Sequence, residues 1–164
     1  MKPPSARPRT RTASRVAAVQ ALFQSEQGQE NPETVIDQFV RHRLGASPPG
    51  GRPDESGYED GRIPDAEVPL FASVVRGAVR QQDTIDAMLV EALPADWPLA
   101  RLDPVLRALL RAAGSELATA GGAPSKVVIN EYMDIARGFF TGPEPGLANA
   151  VLDKLARLLR VGEF

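Results

Sequence analysis

The chain has 164 residues, 43% of them apolar and 24% charged, and no cysteine. The length suits a domain that buries its own core. The missing cysteines exclude disulfides, thiolate catalysis and cysteine-based zinc sites, and they fit a reducing compartment. The net charge of −2 divides into +5 over residues 1–25, from Lys2, Arg7, Arg9, Arg11 and Arg15, and −7 over the remainder. A basic arm on an acidic body points to one specialised anionic contact.

Residues 1–12, "MKPPSARPRTRT", hold three prolines and four basic side chains. Proline lacks an amide donor and resists helix formation, so this segment is expected to be a disordered basic arm, with the folded domain over residues 13–164. Ser14 is the expected N-cap of a first helix in which Val16, Val19, Leu22 and Phe23 recur at helical spacing. A second helix starts near Pro32, marked by Val35, Ile36, Phe39, Val40 and Leu44. Residues 45–64 hold five glycines and four prolines and are read as a long mobile loop inside the domain. From Asp65, the residues Val68, Phe71, Val74, Val75 and Ala78 lead into Ile85, Met88, Leu89 and Leu93, as one long helix or two. "PADWP" ends that region. Asp103 is an expected cap, with Pro104 in the first turn, where its missing amide costs nothing. Val105, Leu106, Leu109, Leu110, Ala113 and Leu117 follow, and "TAGGAP" closes the helix. Residues 127–140 form the next, "TGPEPG" ends it, and Leu147, Val151, Leu152, Leu155, Leu158 and Leu159 mark the last. No alternating strand pattern occurs. The predicted class is all-α, with six or seven helices.

"VVINEYMDIARGFF", residues 127–140, places a polar pair inside an apolar run. At 100° per residue, Val128, Ile129, Tyr132, Met133, Ile135, Ala136, Phe139 and Phe140 share an arc of about 160°. Asn130, Asp134 and Arg137 lie opposite, on a solvated stripe, and Glu131 lies at the border. Catalytic patterns are missing. His42, the one histidine, sits between Arg41 and Arg43 and reads as a surface residue without a partner base. There is no G-x-S-x-G turn and no phosphate-cradling glycine loop. The acids Asp54, Glu55, Glu59 and Asp60 read as a solvated loop rather than a metal cluster. Neither enzyme activity, metal nor cofactor is expected. No apolar run approaches the roughly 18–20 residues that cross a bilayer, and no secretory signal is present, so the expected location is cytoplasmic. The arm carries more information. Arginine forks pair with phosphates, and an aromatic such as Phe23 can stack on a splayed base. A solubilising tail and a transit peptide are the alternatives for the arm, and core packing is the alternative for Phe23.

An ordered series of segments resembles the NusB family of bacterial antitermination factors. It comprises the arginine-rich arm running into "RVAAVQALFQ", then "LFASVVRGAV" with "IDAML", "WPLARLDPVLRALLRAAGSEL", "PSKVVINEYMDIARGFF" and "ANAVLDKL". Together they cover nearly everything outside residues 45–64. The resemblance implies an all-helical fold of two small bundles forming one compact domain, without catalysis or cofactor. It implies binding of single-stranded boxA-like RNA, a ribosomal protein partner called NusE, and action on the transcription elongation complex, notably in ribosomal RNA transcription. Carried over by position, Lys2, Arg7, Arg9, Arg11, Arg15 and Phe23 fall in one RNA-facing region. Phe139 and Leu147 fall in a second, and Leu106 falls on the partner-facing side. The chain departs from the family at Leu147, usually aromatic; at Leu106, usually acidic; at Ser115, usually Tyr; and in the loop "TGPEPG". Two other readings stay open: a helical interaction module without RNA function, and a non-catalytic RNA-binding domain related to RNA methyltransferases. A homodimer is also open.

Overall fold

The computed structural model describes the backbone of residues 6–44 and 66–164, and the side chains of all of these except residues 6–9. Lys2 and the predicted 45–64 loop lie outside the described residues. Seven α-helices follow in order: α1 Ala6–Gly28, α2 Pro32–His42, α3 Val68–Arg80, α4 Gln82–Ala92, α5 Pro104–Ala118, α6 Ser125–Phe139 and α7 Glu144–Leu159. Short 3-10 turns occupy Leu99–Arg101 and Val161–Glu163. The all-α expectation holds among the described residues, and the region after Asp65 is two helices rather than one. The chain divides into two compact units, Met1–Val75 and Arg76–Phe164, and α3 runs continuously from the first into the second.

The first helix departs from expectation. It begins at Ala6, within the predicted arm, and not after Ser14. Pro8 is tolerated because the first turn of a helix has no intrahelical acceptors for its amides, so a missing N–H costs nothing there. Ser14 therefore lies inside the helix. Its hydroxyl donates to the Thr10 carbonyl at 2.6 Å and accepts from the Glu67 amide at 2.6 Å, pinning the start of α3's segment to α1. Ala13, Ala17, Ala18, Val19, Ala21 and Leu22 form the buried stripe of α1. Gln29, with φ 50°, ends the helix in the left-handed region, and the Glu30 amide returns to the Ser25 carbonyl at 3.1 Å. Asn31 caps α2 by accepting the Glu33 amide at 2.9 Å. Val35, Ile36 and Phe39 are buried, and the Phe39 ring stacks on Phe71 with centroids 5.5 Å apart.

In the second unit α5 is buried nearly all round. Leu106, Ala108, Leu109, Leu110, Ala112, Ala113, Gly114, Ser115 and Leu117 have almost no exposed surface. Helices α4, α6 and α7 pack against it. Asp103 caps it as expected, accepting the Val105 amide at 2.8 Å, with Pro104 next. Gly114 permits close packing: a Cβ there would lie 2.9 Å from Ile85 Cγ2. Gly77 similarly faces the Ser115 hydroxyl with no room for a side chain. Arg111 and Asp86 form a two-point ion pair at 2.9 Å between α5 and α4. The buried Tyr132 hydroxyl of α6 donates to Glu116 Oε1 at 2.8 Å.

Arg160, at the end of α7, ties these helices together. Its five N–H donors reach the carbonyls of Glu116, Leu117, Thr119 and Ala123 and the Glu163 carboxylate, at 2.8–3.2 Å. Glu163 in turn accepts from the Ser125 amide at 2.9 Å and from the Ser125 hydroxyl, at the start of α6. The carbonyls left open at the end of α5 and an open amide of α6 thus share one ion pair.

Candidate nucleic-acid interface

The basic arm is presented by a helix. Arg7, Arg9 and Arg11 lie within the first turns of α1, and Arg11 is exposed. Arg15 corrects an expectation. It is only 3% exposed and interacts within the protein. A buried guanidinium has no surface to offer a phosphate, so Arg15 is not a direct arm contact. Phe23, two turns further on, is partly exposed.

The second candidate region is the junction of α6 and α7. The helical wheel holds for most of α6: Val128, Tyr132, Met133, Ile135 and Ala136 are buried, while Asn130, Asp134 and Arg137 are exposed. Asp134 and Arg137 pair at 3.1 Å. Phe139 differs. The wheel places it in the buried arc, yet it is 43% exposed because α6 ends there and the chain turns out at Phe140. The two rings lie 6.4 Å apart, tilted by 49°. Thr141, Gly142 and Pro143 connect them to α7, whose first turn carries Glu144 and the partly exposed Leu147.

The sequence profile of the NusB family matches residues 12–157. The chain belongs to the NusB family. The transcription antitermination protein NusB of Granulibacter bethesdensis is 65% identical over 158 residues, covering 96% of this chain and 94% of that one. The protein of the same name from Gluconobacter oxydans is 54% identical over 156 residues, covering 94% and 92%. A solved T. maritima NusB superposes with a TM-score of 0.64 at 28% identity, over 96% of this chain and 93% of that one. A crystal structure of antitermination factors NusB and NusE in complex with dsRNA has a TM-score of 0.68 at 19% identity, over 92% and 98%. That last likeness concerns the fold alone.

Within the NusB fold, Leu106 needs a second correction. It has no exposed surface, so it packs inside α5's environment and cannot itself touch a partner. Its chain neighbour Arg107 points outward and holds the Leu99 and Leu102 carbonyls at 3.2 and 3.1 Å. Arg107 and Arg111 border an open groove of about 550 Å³ whose apolar wall includes Val90, Pro94, Trp97 and Leu99. No periodicity marks this groove, because Trp97 and the two prolines of "PADWP" read simply as a helix break. His42 is exposed, as expected. No described helix is long and apolar enough to cross a membrane.

Proposed function

We propose that this antitermination factor is a non-catalytic cytoplasmic protein that binds single-stranded boxA-type RNA together with a NusE ribosomal protein. It thereby acts on the elongation complex during ribosomal RNA transcription. Phe139 carries the reading: a large ring exposed at the end of an otherwise well-buried helix has a stacking face free for an unpaired base. Lys2, Arg7, Arg9 and Arg11 supply the phosphate contacts, and Phe23 and Leu147 supply further base-facing surface. The partner surface is the groove beside α5, with Leu106 supporting it from inside. Family membership supports the reading, as does a shared fold with a protein solved with NusE and RNA.

The test is titration with a boxA-like RNA and a scrambled control of equal length, at two salt concentrations, with and without NusE. Two to four phosphate contacts give a log–log salt slope of about −1.5 to −3, at roughly −0.7 per phosphate on single strands. Replacing Arg7, Arg9 and Arg11 by Gln should flatten that slope by about 2. NusE should tighten RNA binding by roughly 5- to 150-fold, and RNA should tighten NusE binding by the same factor. Equal affinity for both RNAs, with no effect of NusE, would reject the proposal in favour of a plain helical interaction module.

A further inference from the structure

A second cleft lies in the Arg76–Phe164 unit, lined by α6, by α7 and by Glu163 and Phe164. Its volume of about 670 Å³ falls within the roughly 300–1,000 Å³ of small-ligand sites. Lys126 and Asn130 stand one turn apart on its α6 wall, and both are exposed. Neither side chain makes a hydrogen bond or an ion pair among the described residues. Asn130 is thus exposed to the cleft with a carboxamide that offers a donor and an acceptor side by side.

The rest of the lining adds a ring and balances the charge. The Phe164 ring is 57% exposed and borders the cleft, with the Arg157 guanidinium over it at 4.7 Å from the centroid. Ile129 supplies further apolar wall. Two carboxylates also line the cleft, and each is met by an arginine. Asp153 accepts from Arg157 at 2.9 Å, and Glu163 accepts from Arg160 at 2.9 Å and from the Ser125 amide at 2.9 Å. The charge left unmatched on the cleft wall is the Lys126 ammonium. An exposed ring, a paired donor and acceptor, and one unmatched cation are the three groups that hold a nucleotide, by base stacking, base-edge bonding and phosphate contact.

We propose that this cleft binds an adenine nucleotide, with the base on Phe164, the Asn130 carboxamide on the base edge and the phosphate at Lys126. The base is adenine because its N6 amino group and N7 present one donor and one acceptor, the complement of a carboxamide. The site goes beyond the RNA-binding reading above and is separate from the α6–α7 junction. Phe139 lies nine residues after Asn130, which is about 14 Å along the helix axis and, at 100° per residue, on the opposite side of α6. The nucleotide is either free or one residue of a single strand, and the same three contacts serve both.

The experiment follows the amide signals of the isotope-labelled full chain by NMR during titration with AMP, adenosine, UMP, oligoadenylate and oligouridylate. AMP or oligoadenylate should shift the Asn130 side-chain amide and the Phe164 backbone amide, with adenine preferred over uracil by about tenfold. A response to AMP identifies the free nucleotide as sufficient, and a response to oligoadenylate alone assigns the cleft to a strand. Each side chain has its own signature. Asn130→Ala should abolish the preference for adenine. Phe164→Ala should weaken binding of both bases by about tenfold. Lys126→Gln should weaken AMP by roughly two- to fivefold and leave adenosine unchanged. All three side chains are exposed, so the variants should unfold within a few degrees of wild type. The proposal is overturned if UMP matches AMP, if the adenine preference survives Asn130→Ala, or if the shifts avoid Asn130 and Phe164. Silent AMP and oligoadenylate titrations beside normal boxA-type binding overturn this proposal alone. A cleft that responds to AMP in a chain that fails to bind boxA-like RNA overturns the RNA-binding reading and leaves this one standing.

Discussion

Arg160 offers a direct test of how the second unit is held together. Arg160→Met keeps the aliphatic stem and removes all five donors. Three of the lost bonds, to the carbonyls of Glu116, Leu117 and Ala123, are partly buried, whereas those to Thr119 and Glu163 are exposed. Counting about 1 kcal/mol for each partly buried bond, and little for the exposed ones, gives a loss of about 3 kcal/mol. At roughly 2–4 °C per kcal/mol for a chain of this size, Tm should fall by about 6–12 °C. Arg160→Lys should recover little, since one ammonium cannot span carbonyls on both sides of the α5–α6 connection. The assay is thermal unfolding followed by circular dichroism, with urea unfolding as an independent measure. A Tm within about 2 °C of wild type for Arg160→Met would show that solvent satisfies those carbonyls equally well, and that the shared clasp contributes nothing.

Three further outcomes are expected. Ser14→Ala removes a buried hydroxyl that bonds both Thr10 and Glu67, and should cost about 1–2 kcal/mol in urea unfolding; an unchanged midpoint would mean that the hydroxyl is dispensable to the first unit. Leu106→Glu restores the family's usual acid at a position without exposed surface, and should cost about 3 kcal/mol or more in the same assay; near-native stability would show that residue 106 reaches solvent. The Glu163 carboxyl is held below the usual glutamate range, first by the Ser125 hydroxyl, then by the Ser125 amide and Arg160, with partial desolvation opposing. A depressed folded pKa means that its stabilisation is present above the ordinary value of about 4.3 and is lost as pH falls through the lowered value. The Tm values of wild type and Glu163→Gln should therefore differ at pH 7 and converge toward pH 3, and a pH-independent difference would contradict the assignment.

Much of the fold was legible in the sequence because amphipathic spacing survives in most helices. Pro32 and Asp103–Pro104 marked two starts by chemistry that operates within one turn; the Asp103 cap is found in place, and the structure adds Asn31 as the cap of the other. Pro8 argues against a helix only by the cost proline carries in a helix interior, and in the first turn of α1 it has none. Arg160 left no readable signal. Its four carbonyl partners lie 37 to 44 residues away, and nothing in a one-dimensional pattern brings a C-terminal arginine to the end of α5. The RNA-facing candidates show the same limit. Arg11 and Arg15 are one turn apart and chemically alike, yet one is exposed and the other buried. Tertiary packing alone separates them.

Helix α5 explains why the departures from the family at Leu106 and Ser115 belong together. Apart from the stripe of Arg107 and Arg111, α5 is apolar round most of its circumference, as a central element is. With α4, α6 and α7 packed against it, position 106 has no exposed surface, and Leu meets that environment where an acid would require a partner or a route to solvent. Position 115 faces Gly77 so closely that the side chain on α5 must be small. A tyrosine there would require the end of α3 to retreat. Both substitutions therefore serve internal packing. The polar stripe of α5, with Arg107 and Arg111, instead borders the groove lined by Val90, Pro94, Trp97 and Leu99. In the second unit, then, the packing around α5 is apolar apart from one stripe, and the large exposed ring of Phe139 lies at a helix end.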